Sequence, residues 1–372
     1  MKKILYIGYT DEETGWGHAS IEYITALNTI GYDVVIRSVK INNRTPKLPK
    51  EIEDCKHKST KGCEIVIQNL LPYHMEYNSK LGKNIGLFFS ETSSIKMTAW
   101  PNYLNQMDEI WVPNLSMVKI CRESGVLPPV KVVPLPFDLS KYEKKYDKIP
   151  FPELTDKFVF YFIGENIRRK NMAGLLRAFH TEFSPNEPVS LLIKTSMPGT
   201  SPDECAKRMS EFCGMIKQNL KLYKKMEDYH REVIVTEHLS DDDIMKIHST
   251  CDCFCNMSYA EAWNIPLWES MALGKCVISN NEGGPADYLN GSPCLVDNRL
   301  EPIFGALETF QDHNTGYEDW YSPDLHQTRK LMRKIYEDKN LREQLSQDGI
   351  NRSYNYSYEN IGKIMKEILD VQ

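Results

Sequence analysis

The chain has 372 residues, and because a domain usually has ~100–200 residues, this length predicts two domains. Hydrophobic residues make up 41% of the chain and the formal net charge is −6, which indicates a globular protein and argues against a nucleic-acid partner held by charge. No charged-then-apolar leader opens the sequence, and apolar runs such as 158–163 are far shorter than the ~20 residues that span a bilayer. A cytoplasmic protein without a transmembrane segment is expected.

The start of the chain has the strand and helix alternation of a doubly wound α/β domain. The predicted elements are a strand at 3–7, a helix at 19–30 and a strand at 34–36. Gly15 and Gly17 lie in a loop between the first strand and the helix, where such domains bind phosphate, although a purely structural turn stays open. Ser20 stands where a dinucleotide motif has its third glycine, which counts against an NAD enzyme.

The rest of the first half continues this pattern. Further strands are predicted at 64–67, 85–89, 109–112 and 131–133, with helical intervals between them as a parallel sheet requires. Residues 38–61 are rich in Lys, Asn and Pro without a clean period, which predicts an exposed excursion. Residues 139–157 are charged and contain proline, which indicates an interdomain linker.

A second strand, loop and helix series begins with the apolar run 158–163 and a helix near Asn171. Arg169 and Lys170 come directly before that helix, where the helix dipole disfavours cations unless an anion lies between. The pattern predicts a bound anion, and a solvated basic run is the alternative.

Acidic residues and cysteines are the candidates for a metal site in this sequence. Residues 241–243 are acidic and follow Ser240, which favours a helix cap with an acidic first turn over a metal-binding D-x-D motif. Cys251, Cys253 and Cys255 alternate along one strand, which predicts small core residues rather than disulfides or zinc ligands. No other carboxylate cluster indicates a metal. Helical periodicity predicts C-terminal helices at 328–336, 340–345 and 358–369.

The stretch 251–289 is the most informative part of the sequence. A strand at 252–257 precedes a short helix that begins near Pro266 and is closed by Gly274. The free amides at the start of this helix, at Asn264 and Ile265, are suited to bind phosphate.

Two glutamates flank that helix start. Glu261 lies in the preceding loop and Glu269 follows eight positions later, so both are predicted to reach a ligand at the helix mouth. Because a carboxylate can accept two hydrogen bonds from a vicinal diol, the pattern predicts a nucleotide sugar. The alternative is that the two residues do not bind a ligand, and that one is a solvated helix glutamate and the other an unrelated loop glutamate.

One segment resembles the E-x7-E signature of retaining GT-B glycosyltransferases, specifically the GT4 family. It is the segment 261–278, E-A-W-N-I-P-L-W-E-S-M-A-L-G-K-C-V-I, which is followed by Gly283 and Gly284. The matching positions are Glu261, Pro266, Glu269, Met271, Ala272, Gly274, Val277 and Ile278. Ala262 and Asn264 stand where the family usually has glycine, whose lack of a side chain permits close approach of the sugar.

Three other segments extend the resemblance. Residues 109–114 and 132–138 are similar to the family's sequence segments that lead into its second domain. Lys170, six positions after Gly164, fits a family loop in which an Arg and a Lys hold the donor diphosphate; Arg169 is assigned the arginine role. Glu91 occupies the region where the family often has a histidine beside the transferred sugar.

The resemblance implies an α/β protein with the GT-B fold, in which two doubly wound, Rossmann-like domains face each other across a cleft. Residues 1–145 would form the acceptor-side domain, 146–355 the nucleotide-sugar-binding domain, and 356–372 a helix returning to the first domain. The implied reaction is retaining, metal-independent glycosyl transfer from a UDP- or GDP-sugar to a hydroxyl of a glycan, lipid-linked or small-molecule acceptor. No cofactor other than the donor is expected, and peripheral membrane contact stays open.

Site roles follow from the same resemblance and from the residues above. The catalytic candidates are Glu261, Lys170, Arg169 and Glu91, and the donor-binding candidates are Gly15, Gly17, Asn264, Ile265 and Glu269. Two alternatives stay open: a nucleotide-sugar epimerase of the same fold, and a non-catalytic nucleotide-sugar-binding protein, which the missing glycines at 262 and 264 would suit.

Overall fold

The computed structural model describes residues 2–40, 48–304 and 315–370. Within these ranges the strands form two six-stranded sheets and one two-stranded antiparallel hairpin. All neighbouring strands of the two large sheets are parallel, as βαβ connections require. The predicted α/β fold of two doubly wound units is confirmed.

The first sheet belongs to the N-terminal part of the chain and has the strand order β2-β1-β3-β4-β5-β6. Its strands are β1 (Lys3–Gly8), β2 (Asp33–Ser38), β3 (Ile65–Asn69), β4 (Lys83–Leu87), β5 (Glu109–Val112) and β6 (Val130–Val132). Its helices are α1 (Gly15–Thr29), α2 (Lys50–Lys56), α3 (Trp100–Leu104) and α4 (Leu115–Glu123).

The second sheet has the order β12-β11-β10-β7-β8-β9. Its strands are β7 (Phe158–Glu165), β8 (Val189–Ser196), β9 (Val233–Val235), β10 (Cys253–Asn256), β11 (Cys276–Asn280) and β12 (Leu295–Val296). Its helices are α5 (Met172–Glu182), α6 (Pro202–Leu220), α7 (Asp241–Thr250), α8 (Ile265–Ala272) and α9 (Gly283–Tyr288). Because β7 has β8 on one side and β10 on the other, the order reverses there, and the carboxyl ends of β7 and β10 border the crevice in which such sheets bind ligands.

The chain ends with a hairpin and three helices. These are β13 (Asn298–Pro302), β14 (Asp319–Pro323), α10 (Leu325–Glu337), α11 (Lys339–Ser353) and α12 (Tyr358–Asp370). Helix α12 lies against α1, and the approach is so close that a Cβ on Gly362 would be 2.4 Å from Ile30 Cγ2. The domain boundaries at 145 and 355 stay a prediction.

Two predictions for the N-terminal part were wrong in detail. Helix α1 begins at Gly15 rather than near residue 19, because Thr14 caps it by accepting a hydrogen bond from the Gly17 amide, so both glycines lie in the first helical turn. The supposed excursion 38–61 contains α2, whose Ile52 and Cys55 are buried in the core. Part of that predicted excursion, 41–47, lies outside the described residues.

The second half follows its local signals more closely. Cys251, Cys253 and Cys255 are buried, as the alternation predicted. Ser240 caps α7 by accepting from the Asp243 amide, which confirms the helix-cap interpretation of the acidic run. In the described ranges, none of the helices has both the length and the apolar character needed to cross a membrane.

Candidate active site

A basic turn follows the carboxyl end of β7. Residues 168–170 form one turn of 3-10 helix, and Asn171 then adopts a left-handed conformation with φ 48°. Asparagine tolerates this conformation, and its side chain caps α5 by accepting from the Gly174 amide at 3.0 Å. The Tyr259 amide donates to the Arg169 carbonyl at 2.8 Å, which joins the turn to the loop after β10.

Glu261 lies at the centre of the polar cluster between these two loops. Its side chain is 5% exposed, and its oxygens are 2.7 and 3.0 Å from Lys170 Nζ. Arg169 Nη1 is 3.2 Å from Glu261 Oε2 and also donates to the Ala260 carbonyl at 2.6 Å. The two cations that are predicted to bind the diphosphate, Lys170 and Arg169, therefore contact the carboxylate that is predicted to bind the sugar, Glu261.

The N-terminal half adds a second carboxylate to this cluster. Arg169 Nε is 2.9 Å from Oε2 of Glu91, which lies in the loop after β4. The structure thus brings the four catalytic candidates together: Glu91, Arg169, Lys170 and Glu261. Arg169 is the residue that contacts both carboxylates.

Electrostatics explain how a carboxylate can stay ionised here. Burial alone would raise the pKa of Glu261, but the charges of Lys170 and Arg169 outweigh it and lower that pKa. Burial likewise opposes the charge of Arg169, and the carboxylates of Glu91 and Glu261 raise its pKa. Since Glu261 is the anion beside Lys170, the helix-dipole argument for a bound anion no longer requires a ligand by itself.

The loop before α8 shows how the chain manages without the family's usual glycine. Asn264 has φ 65° and its side chain accepts from the Leu267 amide at 3.2 Å, so it provides both the left-handed conformation and the helix cap. Gly283 and Gly284 are required by this loop, because added Cβ atoms would lie 1.9 Å from the Glu261 carbonyl oxygen and 2.7 Å from Trp263 Cα. Ile265 is the first residue of α8.

Glu269 has different neighbours from Glu261. It is buried in α8, accepts from the Tyr142 hydroxyl at 3.3 Å and faces His248 Nε2 at 3.6 Å. The two glutamates of the motif therefore have different contact partners among the described residues.

The first turns of helix α1 place His18 beside the carboxylate of Glu22, a contact that was not predicted from the sequence. His18 Nε2 is 3.2 Å from Glu22 Oε1, and the Tyr358 hydroxyl of α12 donates to the other oxygen of Glu22. Burial would lower the pKa of His18, but the hydrogen bond and charge of Glu22, together with the charge of Glu269, raise it. A Cβ on Gly17 would be 2.0 Å from the Glu12 carbonyl oxygen, whereas Gly15 has open space.

Sequence reasoning also missed Glu282, which precedes α9. Its Oε2 is 3.4 Å from the Glu261 amide. Burial, together with the charges of Glu261 and Glu91, raises the pKa of Glu282 to about 8. Its side chain is therefore expected to be protonated at neutral pH.

Replacing Glu282 with glutamine should remove a pH dependence of stability. The folded protein keeps the Glu282 proton up to a pKa of about 8, whereas an exposed glutamate loses it near 4.5, so stability falls as pH rises between these values. Glu282→Gln should gain on the wild type by up to ~1.4 kcal/mol per pH unit in that window. Urea unfolding across this pH range measures the difference, and identical pH profiles would contradict a raised pKa.

One part of the chain that contains these residues matches a known family model. Residues 144–292, which contain Arg169, Lys170, Glu261 and Glu269, match the model of the glycosyl transferases group 1 family. A search of curated proteins found no match.

Several solved structures have a similar fold. HepE of Anabaena in complex with UDP-glucose has 12% sequence identity and a TM-score of 0.65, with 100% of both chains covered. Sucrose-phosphate synthase of Thermosynechococcus elongatus has 14% identity and a TM-score of 0.67, with 99% and 98% covered. The trehalose-6-phosphate protein of E. coli bound with UDP-2-fluoro glucose has 10% identity and a TM-score of 0.70, with 100% and 99% covered.

At these identities the structures establish the fold, and the family model adds the match of the second half. The chain therefore has the GT-B fold, and its residues 144–292 match the model of the glycosyl transferases group 1 family.

Proposed function

We propose that the protein is a retaining glycosyltransferase of the GT4 family that transfers a glycosyl unit from a UDP- or GDP-sugar to an acceptor hydroxyl without a metal ion. The observation that carries the proposal is the contact of Lys170 Nζ with Glu261 at 2.7 Å, with Arg169 beside them. These residues lie after β7 and β10, the strands that border the crevice of the second sheet.

The cations suit the leaving group of this reaction. When the glycosidic bond breaks, negative charge develops on the departing diphosphate, and preorganised cations in a closed site stabilise that charge. Lys170 and Arg169 are held by carboxylates and backbone carbonyls, so they need little reorganisation. Glu261 is assigned to hydroxyls of the transferred sugar and Glu269 to the ribose diol.

The proposed transfer retains the anomeric configuration of the sugar. The two carboxylates of the cluster are paired with Arg169 and Lys170 and are assigned other roles, so we assign front-face attack assisted by the leaving phosphate. Glu91 belongs to the acceptor-side half and touches Arg169, which suits a carboxylate that accepts a hydrogen bond from the acceptor or the sugar. NMR analysis of the product anomer tests retention directly.

A donor panel tests the function itself. The protein is incubated with UDP- and GDP-sugars, with and without candidate glycan, lipid-linked and small-molecule acceptors, and nucleoside diphosphate release is followed. Slow hydrolysis that an acceptor accelerates supports a transferase. An isomerised donor or free sugar without an acceptor requirement would favour an epimerase, and tight binding without turnover would favour a non-catalytic binder.

One observation weakens the binder alternative. That alternative relied on the missing glycines at 262 and 264, but Asn264 adopts the left-handed conformation that a glycine would supply. The backbone at position 264 therefore has a conformation that glycine favours, while the side chains of Ala262 and Asn264 remain.

Activity is expected to survive EDTA. We assign the phosphate charge to Arg169 and Lys170, and the acidic run has other partners: Asp242 and Asp243 are 2.7 and 3.0 Å from Lys246. In the described part of the chain, no group of three or more His, Cys, Asp or Glu residues could hold a metal. The check is turnover after chelation, and a complete loss that Mn²⁺ restores would contradict the proposal.

A further inference from the structure

The hairpin of β13 and β14 contacts the loop that carries Glu91. The Ser93 amide donates to the Asp319 carbonyl at 3.0 Å, and the Asp319 amide donates to Ser93 Oγ at 2.9 Å. Next to this reciprocal pair, Trp320 Nε1 donates to the Glu91 carbonyl at 3.0 Å. Three hydrogen bonds therefore attach β14 to residues 91–93 of the first half.

The same hairpin residues contact the donor side. The Trp320 ring, which is buried, stacks on Tyr259 with centroids 5.5 Å apart and planes 6° from parallel. The Tyr321 amide donates to the Tyr259 carbonyl at 3.0 Å, and the Tyr259 amide donates to the Arg169 carbonyl at 2.8 Å. Asn280 also contacts β14 by donating to the Tyr321 carbonyl at 2.7 Å.

Both partners of the ion pair between Glu91 and Arg169 are thus held through Trp320. One edge of the indole holds the Glu91 backbone, and its face packs on Tyr259, which holds the Arg169 backbone. An ion pair between loops of two different sheets contributes little by itself, because fixing two long side chains costs rotamer freedom. The hydrogen bonds and the stacked ring of Trp320 therefore help to hold the two loops together. The hairpin lies after residue 292, outside the part of the chain that matches the family model.

We propose that the hairpin of β13 and β14 is a positioning element of the active site and that Trp320 is its positioning residue, which sets the distance between Glu91 and Arg169. This inference rests on the proposed transferase function. The indole N–H of Trp320, and not only the bulk of its ring, holds Glu91 at its contact distance from Arg169.

The test compares Trp320→Phe with Trp111→Phe. Both changes remove a buried indole that donates one hydrogen bond, but Trp111 donates to Glu109 within β5, away from the cluster. We expect Trp320→Phe to lower kcat about five- to tenfold, the effect of one lost hydrogen bond, while the affinity for free UDP or GDP changes less than twofold. Trp111→Phe should lower the melting temperature without this loss of kcat.

A double-mutant cycle with Glu91→Gln separates positioning from general stability. If Trp320 acts through Glu91, Trp320→Phe should have little further effect on kcat in the Glu91→Gln background. Ser93→Ala, which removes an acceptor of β14, should give a smaller loss of kcat with the same dependence on Glu91, and it serves if Trp320→Phe does not fold. Equal losses in both backgrounds, or an unchanged kcat for both single variants in an active protein, would overturn the inference. A wild-type protein that releases no nucleoside diphosphate from any donor would instead refute the proposed function and the inference with it.

Discussion

Replacing Lys170 with alanine is expected to lower kcat by about 10²- to 10³-fold, the usual effect of removing one preorganised donor from developing charge. The structure sharpens this expectation, because Lys170 Nζ is held within 3.0 Å of both Glu261 oxygens and so is fixed before the reaction starts. Affinity for the free nucleotide should fall less, since Arg169 and the amides of α8 also serve the ground-state phosphate. Steady-state kinetics with saturating donor and acceptor, together with calorimetry, measure the two effects.

Three further variants make this test specific. Arg168→Ala removes an exposed cation from the same turn and should leave kcat near the wild-type value. Lys170→Arg should restore only part of the rate, because a planar guanidinium does not match a site built for a point charge. Lys170→Ala should also raise the pKa of Glu261, whose lowering depends on both cations, and this should move the acidic limb of the pH–rate profile. A near-normal kcat for Lys170→Ala would make the basic turn a structural partner of Glu261 and nothing more.

Replacing Glu269 with alanine is expected to weaken donor binding by about 1.5–3 kcal/mol, the contribution of hydrogen bonds to a charged group. This corresponds to a roughly 10- to 150-fold higher Kd. Calorimetry with UDP and GDP measures the change for whichever nucleotide binds better. Glu261→Ala should instead spare the free nucleotide and damage turnover, because we assign Glu261 to the transferred sugar.

The controls for Glu269 must allow for its own contacts. Its removal leaves the Tyr142 hydroxyl without this acceptor, so a melting curve is needed to show that the fold persists. Glu269→Gln keeps an acceptor oxygen for Tyr142 but loses the charge, and it should show a smaller loss of affinity. Glu367→Ala changes an exposed glutamate on α12 and should change nothing. Unchanged nucleotide affinity in Glu269→Ala would remove this residue from the donor site.

Much of the fold was predictable because its signals are local. Apolar runs marked the strands of the first sheet and β7 and β10 of the second, and Pro266 and Gly274 marked the limits of α8 to within about two residues. The start of α1 was misplaced, because a Thr14 cap looks the same in sequence as an ordinary loop residue. Helix α2 was missed because its seven residues are too few for a clear period.

By itself, the sequence determined the type of fold, the position of the glutamate motif and the presence of two cations after β7, since each depends on residues only a few positions apart. Only the tertiary structure decided that Glu91 meets Arg169, that burial and neighbouring carboxylates raise the pKa of Glu282, and that Trp320 connects the two halves. The physical reason is that ion pairs, burial and indole hydrogen bonds depend on which loops the order of the strands places side by side, and that order brings together residues far apart along the chain.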